Sequence, residues 1–239
     1  MPATDHHDHG VDTQRQLSPG RQTSPLARVP PVAAELIDIL SRFEIVVVPG
    51  LDGSGPDHWQ SRWEHFLPQH GIALHRVTQS NWEQPTYLAW CAGLQQTLET
   101  CLRPTILAAH SLGAILVARW ASERPTERVA GALLVAPADV ELYHGPDAKR
   151  VADFIPLPAG RLPFPSTLVA SRNDEWLDMR RARVMAHRWG STLLDAGQIG
   201  HIGNRSGLGL WSAGLSALGD LARSLSGISA CASDPNVFQ

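Results

Sequence analysis

Residues 105–120 read TILAAHSLGAILVARW, and this stretch decides the fold. An apolar, β-type run leads directly to Ser111, and a helical pattern begins at once after it. Ala109 and Gly113 keep both flanks of the serine small, because a strand that turns sharply into a helix brings two backbones close together. The stretch predicts an exposed Ser111 hydroxyl and a Leu112 N–H that can donate to an oxyanion. The alternative is a serine that simply caps a helix.

The rest of the chain repeats the alternation of short apolar strands with helical patterns. The predicted strands are EIVVVPG from Glu44, IALHRV, TILAAH, VAGALLVAP, STLVAS and STLLDA. Helices are predicted between them, including one at residues 83–100, and a final helix is predicted at about residues 209–225. Strands that are apolar throughout are typical of a parallel sheet covered on both faces. We therefore predict an α/β fold with a six-stranded parallel sheet and helices on both faces. Ligand sites in such sheets form beyond the carboxyl ends of the strands.

The domain organisation follows from composition. The chain has 239 residues and 43% hydrophobic content, which suits one domain with a sizeable core. We place that domain at residues 32–226. Residues 1–31 are polar and lack periodicity, so we expect a disordered N-terminal tail. That tail contains His6, His7 and His9, which could bind a stray metal ion. Residues 227–239 are expected to be a C-terminal tail.

Charge and composition exclude several classes of function. The formal net charge is -3 and no basic face is visible, so no nucleic-acid partner is expected. No apolar run is long enough for a membrane span, and no secretory signal opens the chain, which favours a cytoplasmic protein. The three cysteines have no metal-ligand spacing and are interpreted as small apolar fillers. We expect neither a cofactor nor a catalytic metal.

A serine hydroxyl needs a base within hydrogen-bond reach, and His201 is the best candidate. It lies in a loop after a predicted strand, between Gly200 and Gly203, where small neighbours leave its side chain free to project. The other histidines fall in the tail, on helices, in a strand or in a Pro-rich excursion after Ala138. His110, next to the serine, is expected to point away from the site.

An acid should follow a strand and precede His201, so that it can orient the imidazole. Asp174 satisfies both conditions, because it comes just after STLVAS. Glu175 and Asp178 are rivals, but they more naturally begin the following helix, where acids favour the dipole. Asp195, at the end of a later strand, is a third rival. The chain order Ser111, Asp174, His201 is the order that serine hydrolysis on an α/β sheet uses.

The loop after the first strand, from Leu51 to Trp59, is rich in glycine. Leu51 directly follows a Pro-Gly turn, so its backbone N–H is the candidate second donor to an oxyanion. A phosphate-binding loop is a poor alternative, because the Walker lysine and the G-x-G-x-x-G pattern are both absent here. Asp52, Trp59 and Trp82 are candidate substrate-pocket residues. For the two tryptophans, packing between helix and sheet is the competing interpretation.

Several motifs, spread over residues 44–211, together resemble one known family. They are PGLDGSGPDHWQSRWE, the Q-x-x-W-x-x-P stretch at 79–85, AHSLGA, ALLVAP, LPFPSTLVASRND and GHIGNRSGLGLW. The chain resembles the small serine hydrolases related to retinoblastoma-binding protein 9, particularly their compact bacterial members. This resemblance implies an α/β-hydrolase fold with strand order 2-1-3-4-5-6, no large lid, and Ser111, Asp174 and His201 as the catalytic triad.

The chain departs from that family's pattern at one point. The family usually shows H-I-N after its histidine, whereas this chain has His201, Ile202, Gly203 and Asn204, so the asparagine is displaced by one position. The L-x-C-x-E motif, through which the vertebrate relative is described as binding retinoblastoma-type proteins, is absent. That partner is therefore not expected here.

These observations leave three hypotheses for function. The first is a serine hydrolase that cleaves an ester or amide of a small acyl substrate through an acyl-enzyme. The second is acyl transfer, or a lyase reaction, on the same fold, since a fold does not fix its chemistry. The third is a non-catalytic binding module, which would not require all three triad residues. The expected partner is a small-molecule substrate, and the sequence does not indicate an oligomeric state.

Overall fold

The computed structural model describes residues 34–232, with side-chain surroundings up to residue 227. The expected N-terminal tail, residues 1–31, and the last seven residues of the expected C-terminal tail, 233–239, lie outside the described residues. Within the described part of the chain, no helix combines the length and the hydropathy needed to span a bilayer.

Six strands and seven α-helices follow one another in the described part of the chain. The strands are β1 (Glu44–Val48), β2 (Leu74–Arg76), β3 (Thr105–His110), β4 (Val129–Val135), β5 (Ser166–Ala170) and β6 (Thr192–Asp195). The helices are α1 (Ala34–Leu40), α2 (Trp59–Gln69), α3 (Tyr87–Thr100), α4 (Leu112–Glu123), α5 (Ala148–Val151), α6 (Met179–Trp189) and α7 (Ser212–Ala232).

The strands form one parallel sheet in the order β2-β1-β3-β4-β5-β6, which confirms both the predicted fold class and the strand order. All five strand pairs are parallel. Because the strands are parallel, the segments that follow them emerge at one edge of the sheet. The Ser111 turn, the Asp174 loop and the His201 loop follow β3, β5 and β6 respectively, so they share that edge.

Helices cover both faces of the sheet, which explains why the central strands are apolar throughout. On one face, Val46 and Val48 of β1 pack in a core with α3, α4 and α6, including Trp90. On the other face, Ile45 and Val47 pack in a core with α1, α2 and α7. The edge strand β6 is largely exposed.

Two helix boundaries differ from those predicted. Helix α3 begins at Tyr87, later than the predicted residue 83, because Pro85 precedes it and Asp153 Oδ2 accepts from the Tyr87 N–H at 2.6 Å. Helix α7 runs to Ala232, beyond both its predicted end near residue 225 and the expected domain end at 226. The excursion after Ala138 contains only α5 and a 3₁₀ turn, Ala152–Phe154, so it forms no large helical lid.

Candidate active site

Ser111 occupies a strained turn between β3 and α4. Its backbone lies at φ 54° and ψ -122°, a region that side-chain-bearing residues rarely adopt. The Ser111 N–H donates to the Val135 carbonyl at 2.9 Å, which helps to hold this conformation. Strain of this kind persists only where the surroundings over-determine it, and it clusters at functional sites. The structure therefore has the sharp strand-to-helix turn that the sequence predicts.

Two glycines allow this turn to lie against the end of β1. A Cβ on Gly113 would lie 2.4 Å from the carbonyl oxygens of Val48 and Pro49. A Cβ on Gly50 would lie 2.7 Å from the Ser111 Cβ. Both contacts are far shorter than real carbon contacts, so the small flank at Gly113 is required by the approach of the Pro49–Gly50 turn.

The structure brings Ser111, His201 and Asp174 into one line of hydrogen bonds. The Ser111 hydroxyl donates to His201 Nε2 at 2.7 Å, and His201 Nδ1 donates to Asp174 Oδ1 at 2.8 Å. Because Asp174 accepts from Nδ1, that nitrogen carries the proton and Nε2 is free to accept. The Asp174 side chain is fully buried, whereas that of His201 is 16% exposed.

The three rival acids are engaged elsewhere. Asp178 caps α6 by accepting from the Arg180 N–H at 2.8 Å, and Glu175 pairs with Arg205. Asp195 accepts from the Gly197 N–H and from Arg172, and these contacts lower the pKa of Asp195 from its ordinary value. None of the three makes a hydrogen bond or an ion pair with His201.

The loop after β5, which carries Asp174, also holds the loop after β6, which carries His201. Asn173 Oδ1 accepts from the Gly200 N–H at 2.8 Å, and Ser171 Oγ accepts from the Ile199 N–H at 3.0 Å. Asp174 Oδ1 further accepts from the Trp176 N–H at 2.8 Å, which fixes the carboxylate. The segment after β5 therefore orients both the imidazole and the backbone that carries it.

Two side chains beneath the loop that carries His201 lie differently from what the sequence predicts. His110 does not point away from the site, because its Nε2 donates to the His201 carbonyl at 2.8 Å. Trp59 does not line an open pocket, since it is 1% exposed and its Nε1 donates to the Ile202 carbonyl at 2.9 Å. These donors hold two consecutive carbonyls where Ile202 adopts a positive φ of 51°. Both side chains therefore position the loop.

His58 and His110 form a buried pair of neutral imidazoles under this loop. Their ring centroids lie 4.8 Å apart, edge to face. His58 Nδ1 accepts from the Gln60 N–H at the start of α2, so Nε2 carries its proton, and this buried atom has no partner among the described residues. Burial lowers the pKa of His58 to about 3, with Arg76 and His201 adding to the effect. Burial likewise lowers the pKa of His110 well below its ordinary value.

The two candidate oxyanion donors lie on adjoining segments. Leu112 begins α4, and its N–H is one of the free donors that every helix N-terminus presents. Leu51 follows Gly50, whose Cβ position would lie 3.3 Å from the Leu112 nitrogen. Within the described residues, neither N–H has a hydrogen-bond acceptor, so both remain available.

An arginine joins the segments at the rim of the site. The Arg150 guanidinium pairs with Asp52 at 2.5 Å and with Asp147 at 2.8 Å. It also donates to the carbonyls of Trp82 and Glu83, at 3.1 and 2.7 Å. The predicted pocket residues Asp52 and Trp82 therefore lie at the rim, and Asp52 is bound to protein there.

An aromatic pair near the triad, Trp176 and Tyr143, was not predicted from the sequence. The Trp176 ring stacks on Tyr143 with centroids 3.7 Å apart, and its other neighbour is His201 at 5.9 Å. Beside this pair is a cavity of about 600 Å³ that Leu142 and Val184 also line. One feature of the sequence could have indicated this position, because Trp176 follows Asp174 by only two residues.

Comparison with known proteins agrees with the fold. The serine hydrolase family matches residues 45–220. A YdeN-like hydrolase from Pectobacterium atrosepticum has a similar structure, with a TM-score of 0.69 and 32% identity over 80% of this chain and 96% of that chain. The comparison with curated proteins finds no match.

More distant structures share the fold alone. The YdeN product of B. subtilis has a TM-score of 0.63 and 19% identity, covering 75% of this chain and 98% of that chain. Est1E from Butyrivibrio proteoclasticus, solved with ferulic acid bound, has a TM-score of 0.55 and 13% identity, covering 78% of this chain and 89% of that chain.

Proposed function

Because the chain belongs to the serine hydrolase family, we propose that it hydrolyses esters of small acyl groups, with Ser111 as nucleophile, His201 as general base and Asp174 as the orienting acid. The observation that carries the proposal is the continuous hydrogen-bonded line from Asp174 through His201 to the Ser111 hydroxyl. A binding module would have no use for a hydroxyl held at hydrogen-bond distance from a base in a strained turn.

The first half of the reaction forms an acyl-enzyme. His201 Nε2 takes the Ser111 proton as Oγ attacks the substrate carbonyl carbon, and Asp174 stabilises the imidazolium. The free N–H groups of Leu51 and Leu112 donate to the oxyanion that forms. His201 then gives its proton to the leaving alcohol, and the bond between the carbonyl carbon and that alcohol breaks.

The second half releases the acid. A water molecule gives a proton to His201 Nε2 and adds to the acyl carbon. As this second tetrahedral intermediate collapses, Ser111 Oγ leaves and takes the proton back. The 16% exposure of the His201 side chain leaves the imidazole accessible to that water. An amide can follow the same course, with an amine as the leaving group.

Within the serine hydrolases, we propose that this chain groups with the relatives of retinoblastoma-binding protein 9. The support is the order of six sequence motifs across residues 44–211. The displaced asparagine, Asn204, fits this placement because it lies beside the loop of another motif, where a Cβ on Gly55 would come within 3.2 Å of its Oδ1.

The test is covalent labelling and turnover of the purified full chain. We expect a fluorophosphonate probe to label the wild type and p-nitrophenyl acetate to be hydrolysed. Ser111→Ala should abolish labelling, and Ser111→Ala and His201→Ala should each lower turnover by about 10³-fold or more. Ser122→Ala, an exposed serine on α4, is the matched control and should behave as wild type. Wild-type labelling of Ser111→Ala would refute the proposal.

A further inference from the structure

A cluster of mixed metal-ligand side chains lies near the end of the sheet opposite the Ser111 turn. Glu44 begins β1, His75 lies in β2, and Cys101 directly follows α3. One donor atom from each side chain lies within 4.8 Å of the other two. Glu44 and Cys101 are buried and His75 is half-buried. The proposed hydrolysis uses none of these residues.

The carboxylate of Glu44 is already oriented by the protein. Its Oε1 accepts from the backbone N–H groups of Leu102 and Arg103, at 3.0 and 3.1 Å. Its Oε2 therefore faces His75 Nε2, at 2.7 Å. Hydrogen bonds of this kind, which fix a carboxylate before a metal arrives, are typical of the outer shell of metal sites.

We propose that Glu44 Oε2, His75 Nε2 and Cys101 Sγ form a three-ligand site for a zinc-class divalent cation, with water as the fourth ligand. Thiolate, imidazole and carboxylate are the three ligand types that zinc takes in proteins. One thiolate and one carboxylate also balance the charge of a divalent ion. Binding moves the His75 ring proton from Nε2, where it faces Glu44, to Nδ1, and it releases the Cys101 thiol proton to solvent, so the affinity rises with pH.

Movements on the order of 1 Å bring donor atoms that lie within 4.8 Å of one another to the spacing of zinc ligands. Two tetrahedral ligands at ordinary zinc distances lie about 3.3 Å apart, so Glu44 Oε2 and His75 Nε2 must separate slightly from their hydrogen-bond distance. His75 can supply this movement and admit the fourth ligand, because its side chain is 32% exposed. The Cys101 thiol makes only a weak contact, 3.6 Å from the Thr97 carbonyl, which is readily given up.

Arg103 opposes binding and thereby provides a sharp test. Its Nε lies 3.6 Å from Glu44 Oε1, where its positive charge repels a cation at the same carboxylate. Replacing this charge in Arg103→Gln should tighten metal binding, whereas loss of any ligand should weaken it. A bound ion would join β1, β2 and the end of α3, and so stabilise the folded state by mass action.

The experiment is a Co²⁺ titration of the metal-free full chain. We expect a thiolate-to-cobalt charge-transfer band and the visible bands of a four-coordinate ion, with Zn²⁺ displacing the Co²⁺. Cys101→Ser should lose the charge-transfer band. His75→Gln, at a half-buried position, should weaken binding by more than about tenfold, because even outer-shell changes cost about 10- to 100-fold.

The controls separate this site from other thiols and from catalysis. Cys91→Ser, the other buried thiol of this region, and Cys231→Ser should keep the band, and so should Ser111→Ala. Thermal unfolding should shift upward with Zn²⁺ in the wild type but not in His75→Gln. An unchanged band in Cys101→Ser, or no band in the folded wild type, would overturn the proposal.

Discussion

Asp174 is the member of the proposed triad with the closest rivals in sequence, so its replacement is the most informative single change. Asp174→Asn should keep the fold but favour the wrong imidazole tautomer, lowering kcat by about 10³- to 10⁴-fold. Asp195→Asn is the matched control, because Asp195 ends a neighbouring strand but pairs with Arg172. The measurement is ester turnover at saturating substrate. Equal losses in the two variants would contradict the assignment of Asp174.

His110 should act on catalysis through the backbone of His201. His110→Ala removes the N–H that holds the His201 carbonyl, and a misplaced base costs about 10- to 100-fold in kcat. We expect KM to change little, and His110→Gln to restore part of the rate because its amide can donate. Parallel unfolding measurements serve as the control. A purely structural role would lower stability in both variants without this difference in kcat.

The elements of the sheet were predictable from sequence because their burial is simple. The residues of β1 and β3 are buried on both faces, so each strand is recognisable as one apolar run ended by a turn. The Ser111 turn was predictable for the same reason, since local sterics demand small residues beside it. The start of α3 was less predictable from sequence, because the acceptor of its first N–H is Asp153, which lies 66 residues away.

The support beneath the histidine loop could not be predicted, because its contacts are remote in sequence. His110 and the His201 carbonyl are 91 residues apart, and Trp59 and the Ile202 carbonyl are 143 apart. Helical spacing alone makes Trp59 equally suited to a pocket wall or to a core. Only the packing of α2 against that loop decides that its indole is buried.

The N-terminus of α2 should make stability depend on pH. Burial lowers the pKa of His58 to about 3, whereas the unfolded chain titrates near the ordinary histidine value of about 6.5. Between these two values the unfolded state binds the extra proton, so this stability is present above about pH 6.5 and is lost as the pH falls towards 3. His110 adds a loss of the same sign.

The variant that isolates this effect is His58→Asn. Asparagine also caps helices well but does not titrate, so α2 should remain capped. Urea unfolding at several pH values should show a shallower loss of stability below about pH 6, by about 1.4 kcal/mol per pH unit for one proton. Identical slopes in His58→Asn and wild type would mean that His58 is protonated in the folded state.

At the scale of the whole molecule, the carboxyl edge of the sheet sets the size of substrate. The excursion between β4 and β5 carries only a four-residue helix and a 3₁₀ turn, because its prolines forbid longer helices. Arg150 fastens this excursion to Asp52 and to the Trp82 carbonyl. Within residues 34–232 the rim is therefore built from short, mutually fixed loops, without a helical lid to extend its apolar surface.

Such a rim should favour short acyl chains. Each methylene that a groove buries would favour a longer chain by about 0.8 kcal/mol, but fixed short loops offer little area beyond the first few carbons. We therefore expect p-nitrophenyl acetate and butyrate to be hydrolysed with higher kcat/KM than the palmitate. The measurement is kcat/KM across acyl lengths, with Arg150→Gln as the variant that releases the rim and should flatten the preference. A kcat/KM that keeps rising with chain length in the wild type would show that a long apolar groove adjoins Ser111.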